Sequence, residues 1–220
     1  GRIDGEGLAR GLLRLMENYP PQFYESLLNL MGSHDVVRAI TALSGAPERD
    51  ALTKEQQAAY SPTIEQLKAG RKRFMAAAAV QYMMPGAPCL YYGDEAGMEG
   101  YRDPFNRRCY PWGRENLDLI EFTRQLGVIR KGTHAFEQGH LMFIEVDDNV
   151  CVFARYDKIT REAAIIYLNK STRGRTFDIV NDKTDMFYDF VPAFDRHEKG
   201  IKDGKVHVSP FDYAVIYCKV

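Results

Sequence analysis

Leu27-Leu28-Asn29-Leu30-Met31-Gly32-Ser33-His34-Asp35 and, further along, Pro88-Cys89-Leu90-Tyr91-Tyr92-Gly93-Asp94-Glu95 decide the fold. Each is a compact apolar run that stops at a glycine and passes into His, Asp or Glu. A compact, mostly apolar run of this length predicts a buried strand running into a loop. Between the two runs, Thr53-Lys54-Glu55-Gln56 has the form of a capping box. Ser61-Pro62 then supplies an N-cap followed by proline at the first helical position. The helix opened there is expected to run to about Met84, where Pro85-Gly86 stops it, and its Ala76–Ala79 stretch is slim enough for close packing. A buried strand, a crossover helix and a second buried strand imply parallel pairing. Polar side chains at the C-terminal ends of parallel strands are where α/β barrels hold their active sites.

Outward from this unit, Gly7 to Met16 reads as a short helix ended by Asn18-Tyr19-Pro20-Pro21. A polar loop rich in Arg, Asn, Asp and Pro extends through Trp112, and Leu119, Phe122, Leu126 and Ile129 mark one face of a last helix. Near Lys131 the helical spacing of apolar residues gives way to alternation. Short strands are expected at Leu141–Val146, Val150–Tyr156, Ala163–Leu168, Phe177–Val180, Met186–Val191, Val206–Val208 and Val215–Val220, with Asp147-Asp148-Asn149 as a turn. This is an antiparallel sandwich pattern. The reading is therefore α/β plus all-β, with one domain over 1–131 and a second over 132–220.

The 220 residues carry 29 Lys+Arg against 30 Asp+Glu, a net charge of −1, which excludes a general nucleic-acid or anionic-membrane binder. The longest apolar run, Phe74 to Val80, is far short of a membrane span, and Gly1 to Arg14 is too charged for a signal peptide. The cysteines (Cys89, Cys109, Cys151, Cys218) have no CxxC spacing, so buried free thiols are expected rather than zinc or a disulfide framework.

Two loops carry candidate chemistry. At Asn29 to Asp35 the structural reading is a strand end, with Asp35 capping the next helix and His34 hydrogen-bonded locally. The functional reading aims a carboxylate and an imidazole into a cleft, where they would hold sugar hydroxyls and stabilise positive charge at a reacting carbon. From Gly93 through Arg108 the structural reading is a solvated charged loop with ion pairs. The functional reading makes Asp103 and Arg107 a hydrogen-bonding clamp for neutral polar ligands, with Tyr101, Phe105, Tyr110 and Trp112 as a sugar-stacking surface.

The stretch LLNLMGSHDVVRAIT (27–41) resembles the fourth conserved region of the α-amylase family of glycoside hydrolases. The stretch PGAPCLYYGDEAGMEGYRDPFNRRCYPW (85–112) is similar to that family's barrel strand 8 and the loop after it. Within the family the likeness is to the neopullulanase, cyclomaltodextrinase and maltogenic amylase branch, whose helical segment between strands 6 and 7 resembles Gly1 to Pro21. The resemblance implies strands 7 and 8 of a (β/α)8 TIM barrel, with their helices, followed by an antiparallel β-sandwich. It matches Asp35 to the carboxylate that stabilises the transition state, gripping hydroxyls of the reacting ring without attacking it. It matches His34 to a ligand of the same ring, and Asp103 and Arg107 to contacts with the next sugar on the non-reducing side. Asp94 and Glu95 match a loop element expected to be structural. Val36 and Val37 stand where many relatives have Thr and Pro.

Retaining glycosidases also need a nucleophilic carboxylate and a carboxylic general acid about 5–5.5 Å apart. The resemblance places both before strand 6 of the barrel. Arg2-Ile3-Asp4 has the nucleophile's spacing but the wrong flanks, and no segment resembles the acid motif. A whole barrel needs about 250 residues. The expectation is thus a C-terminal part of an enzyme acting on α-glucan oligosaccharides, inactive alone; a non-catalytic carbohydrate-binding or structural fragment is the alternative. Its partners would be the remaining barrel or a second copy of itself. Members of the family often bind calcium, mostly through residues outside this stretch, so no cofactor or metal ligand is nominated. The branch resemblance and the unpaired cysteines point to the cytoplasm.

Overall fold

The computed structural model describes residues 5–194 and 201–220. The Arg2-Ile3-Asp4 segment therefore lies outside the described residues. The chain divides into two compact units: 28–81 with 88–126, and 1–27 with 82–87 and 127–220.

The first unit opens with strand β1 (Leu28–Leu30), followed by helices α3 (Ala39–Leu43), α4 (Lys54–Ala59) and α5 (Ile64–Met83), strand β2 (Ala87–Cys89) and helix α6 (Leu117–Lys131), the last elements running on past the unit's limits. Strands β1 and β2 pair in a two-stranded sheet. Gln81 on α5 pins both, its side-chain amide donating to the carbonyls of Asn29 at 2.6 Å and Cys89 at 3.0 Å. The expected burial of these strands is not found: Leu28 is 62% and Leu30 58% exposed. An apolar run that reads as core thus leaves two of its leucines largely open to solvent.

The capping box at α4 is present, with Gln56 N–H donating to Thr53 Oγ1 at 3.3 Å and Thr53 N–H to Gln56 Oε1 at 2.8 Å. Helix α5 starts later than expected, at Ile64. Thr63 and Gln66 form a second reciprocal box there, with bonds of 2.9 and 3.2 Å, and this displaces Ser61 as the cap. Close packing of α3 on α5 depends on Gly70, where a Cβ would lie 2.7 Å from the Ile40 carbonyl oxygen. Phe74, Ala78 and Ala79 on α5, and Leu119, Phe122 and Leu126 on α6, are buried.

The second unit holds α1 (Gly5–Asn18), α2 (Pro21–Glu25), α7 (Ala135–Gln138) and seven strands: β3 (His140–Val146), β4 (Val150–Asp157), β5 (Glu162–Asn169), β6 (Arg175–Asp178), β7 (Tyr188–Phe194), β8 (Lys205–Val208) and β9 (Asp212–Lys219). They form a five-stranded antiparallel sheet in the order β3-β4-β5-β9-β7 and a two-stranded antiparallel sheet of β6 and β8. Alternation decides which side chains meet: Val152, Ala154, Ile165, Tyr167 and Ile216 share a core with Phe177, Val206 and Val208 of the small sheet. Strands β4 and β5 are buried on both faces, because α7 lies against them on the other side. There the buried Arg155 guanidinium donates to the carbonyls of Gly139 at 3.0 and 3.3 Å and of Met83 at 3.1 Å. Burial pulls its pKa down to about 10.

Among the described residues no helix is long and apolar enough to cross a membrane. No group of three or more His, Cys, Asp or Glu converges there as a metal site. All four cysteines are free thiols, but Cys109 is exposed and Cys89 half-buried, so only Cys151 and Cys218 fit the expectation of burial.

Candidate functional site

The first unit brings the two candidate loops together. At their base, Gly32 allows the Asp94 carboxylate to approach: a Cβ at Gly32 would lie 2.4 Å from Asp94 Oδ2. Asp94 is buried and faces the equally buried Arg38, whose Nη1 donates to Oδ1 at 3.0 Å. Burial pushes the Asp94 carboxyl up to about 6, while the Arg38 guanidinium beside it pulls the other way. Arg38 also donates from Nη1 to the Tyr92 carbonyl at 2.5 Å and from Nε to the Asn106 carbonyl at 2.9 Å. Its guanidinium carbon lies 4.2 and 4.8 Å from the ring centres of Tyr91 and Tyr92. One arginine thus joins the first loop to three points of the second.

Above this base, the carbonyls of residues 33–36 all accept side-chain hydrogen bonds from the second loop. Asn106 Nδ2 lies 3.3 Å from the Ser33 oxygen, 3.0 Å from that of His34 and 2.7 Å from that of Val36. Arg102 Nε donates to the Asp35 carbonyl at 2.5 Å, and Arg107 Nη2 to that of His34 at 3.4 Å.

The four site residues expected from sequence all project from this assembly. His34 Nε2 stands 3.4 Å from Asp35 Oδ1, and both side chains are exposed. Arg107 Nε pairs with Asp103 Oδ1 at 2.8 Å, about half in solvent. Asp35 does not cap α3, whose N-cap is Arg38 without a side-chain bond. Its carboxylate is left facing outward beside an imidazole, an arrangement suited to sugar hydroxyls and to developing positive charge.

The expected stacking surface needs one correction. Tyr101 is only 2% exposed. Its hydroxyl donates to the Pro47 carbonyl at 2.8 Å and its ring meets Tyr60 edge-on, so it is core and not a platform. Trp112 is 80% exposed and tilts against Tyr110 with ring centres 4.5 Å apart, and Phe105 is half-buried. Sequence reading missed Arg38 and Asn106. Arg38 lies three residues after Asp35, and a buried cation demands a buried anion nearby. Asn106 carries no comparable signal.

Comparison with known proteins shows the class. No family model matches the chain. Curated relatives and solved structures do, and they make the chain homologous to a minor part of α-amylase-family glycoside hydrolases. It is 33% identical to an amylopullulanase of Thermoanaerobacter thermohydrosulfuricus over 97% of its own length and 15% of that protein's. It is 32% identical to a cyclomaltodextrinase of Geobacillus thermopakistaniensis over 73% of its length and 24% of that enzyme's. The fold is similar to that of the cyclic α-maltosyl-(1→6)-maltose hydrolase from Arthrobacter globiformis, with a TM-score of 0.73 at 24% identity, covering 98% of this chain and 40% of the other. The chain thus spans less than half the length of each of these proteins.

Proposed function

We propose that this chain is the C-terminal part of a retaining glycoside hydrolase acting on α-glucan oligosaccharides or cyclodextrins. Residues 1–131 would complete the (β/α)8 barrel and 132–220 form the β-sandwich that follows it. The observation that carries this reading is the outward cluster of His34, Asp35, Asp103 and Arg107 on two interlocked loops. In it, Asp35 stabilises the oxocarbenium-like transition state and His34 holds the same ring. Asp103 and Arg107 hold the neighbouring sugar, and Trp112 offers an aromatic face. The relatives support the substrate class: the Arthrobacter hydrolase is known in complexes with cyclic α-maltosyl-(1→6)-maltose and with maltose.

The nucleophile and the general acid come from the remainder of the barrel, so the chain alone binds sugar and does not cleave it. Leu28 and Leu30, open on β1, give that remainder an apolar strand to cover. The test combines calorimetric titration of the chain with maltotriose and an assay of reducing ends released from maltotriose and β-cyclodextrin. Binding that weakens at least tenfold in Asp35→Asn, without release of reducing ends, is expected. Absence of binding would leave the structural-fragment reading in its place. Release by the chain alone would overturn the assignment of nucleophile and acid to the rest of the barrel.

A further inference from the structure

The loop that presents His34 and Asp35 has little structure of its own. Its internal bonds are Val36 N–H to the Ser33 carbonyl at 3.4 Å and Asp35 N–H to Ser33 Oγ at 3.2 Å, both long. Its position comes from elsewhere. Asn106, fully buried, sets its amide nitrogen within 2.7–3.3 Å of three of the loop's carbonyl oxygens, two N–H groups serving three acceptors. The other end of that amide, Oδ1, is buried without a hydrogen-bond partner among the described residues. A buried amide that leaves its oxygen unmatched is costly, and filling space would not require it. The contact is also reciprocal: Asn106 reaches into residues 33–36, and Arg38, at the end of the same segment, donates back to the Asn106 carbonyl.

We infer that Asn106 is the positioning residue of the site, fixing the backbone of 33–36 so that the His34 ring and the Asp35 carboxylate face a sugar together. Arg102, through the Asp35 carbonyl, is its exposed auxiliary. The inference rests on the glucan reading for its functional consequence, but the positioning itself is measurable without sugar.

The decisive variant is Asn106→Asp. It keeps the shape of the side chain, removes both N–H donors and turns a carboxylate toward three carbonyl oxygens. Two readouts are taken on the purified chain: hydrogen exchange at the amides of Asp35 and Val36, which donate within the loop, and maltotriose affinity. Phe74→Leu on α5, a fully buried core position of the same unit on an element outside both loops, is the control. Exchange at Asp35 and Val36 is expected to rise at least tenfold in Asn106→Asp, with affinity falling about tenfold, and neither should change in Phe74→Leu. Wild-type exchange in Asn106→Asp overturns the inference, as does an equal effect in the control. Should Asn106→Asp fail to fold, Arg102→Met takes its place, with a rise of about threefold expected and no rise refuting. Failure of the wild-type chain to bind maltotriose would refute the functional reading, while exchange would still decide the role of Asn106.

Discussion

Arg38 and Asp94 form a buried ion pair whose strength should depend on pH in a direction set by the Asp94 carboxyl. The perturbation is Arg38→Met, which fills similar volume without charge. At about pH 8, Asp94 is ionised, and the variant leaves a buried carboxylate with no cation. Breaking a buried pair from one side costs about 3–5 kcal/mol. At about pH 5 the wild-type carboxyl, with its pKa near 6, is already mostly protonated. The loss then reduces to the donors withdrawn from the Tyr92 and Asn106 carbonyls, about 1–3 kcal/mol.

The sign follows from proton binding. The pKa of Asp94 in the folded chain, about 6, lies above its ordinary 3.8, so the folded state takes up the proton more readily. This group therefore makes stability fall as pH rises from about 4 to about 6, by roughly 3 kcal/mol for a displacement of that size. Without Arg38 the carboxyl moves higher still, and the fall extends toward neutrality. Urea unfolding followed by far-UV circular dichroism at both pH values reads the difference. A cost below about 1 kcal/mol at pH 8, or the same cost at both pH values, would refute the ion-pair reasoning.

Two further outcomes are expected. The pKa values of the buried Cys151 and Cys218 thiols are pushed up to about 11 and 12 by burial, so a disulfide reagent at pH 8 should label the exposed Cys109 first and those two only on unfolding. Rapid labelling of either in the native chain would contradict the packing of β4 or β9. Gly132→Ala would set a Cβ 2.2 Å from the Tyr217 hydroxyl, which donates to the Ile129 carbonyl at 2.8 Å. The loss of that bond and the displaced ring should lower stability by about 1–3 kcal/mol in thermal unfolding, and an unchanged midpoint would count against the contact.

The sequence made the antiparallel part most legible, because period-two alternation survives where one strand face meets a core, as in Val152, Ala154, Ile165 and Tyr167. It also supplied the capping box at Thr53, whose partners are three residues apart. It misplaced the α5 cap because Ser61 and Thr63 are both good caps, and only the reciprocal bond from Gln66 separates them. Burial of Leu28 and Leu30 could not be read locally: an apolar strand specifies that something covers it, not where that cover lies. Tyr101 and Trp112 look equivalent as neighbouring aromatics, and the distant Pro47 carbonyl decides between them. Of the site, the exposed side chains were legible because their chemistry is displayed. Asn106 was not, since its whole action is on main-chain oxygens that any sequence would offer.

That last property has a consequence for how this surface can change. Because the second loop grips residues 33–36 by their carbonyls, the grip is blind to the side chains at 34 and 36. Replacements at His34 and at the exposed Val36 leave the handle untouched, so these side chains can change without the scaffold moving. Libraries randomised at 34, 36 and 37 with Asn106 retained would be expected to yield folded proteins, whereas the same diversity placed at 106 would loosen the backbone of 33–36 on which those side chains stand.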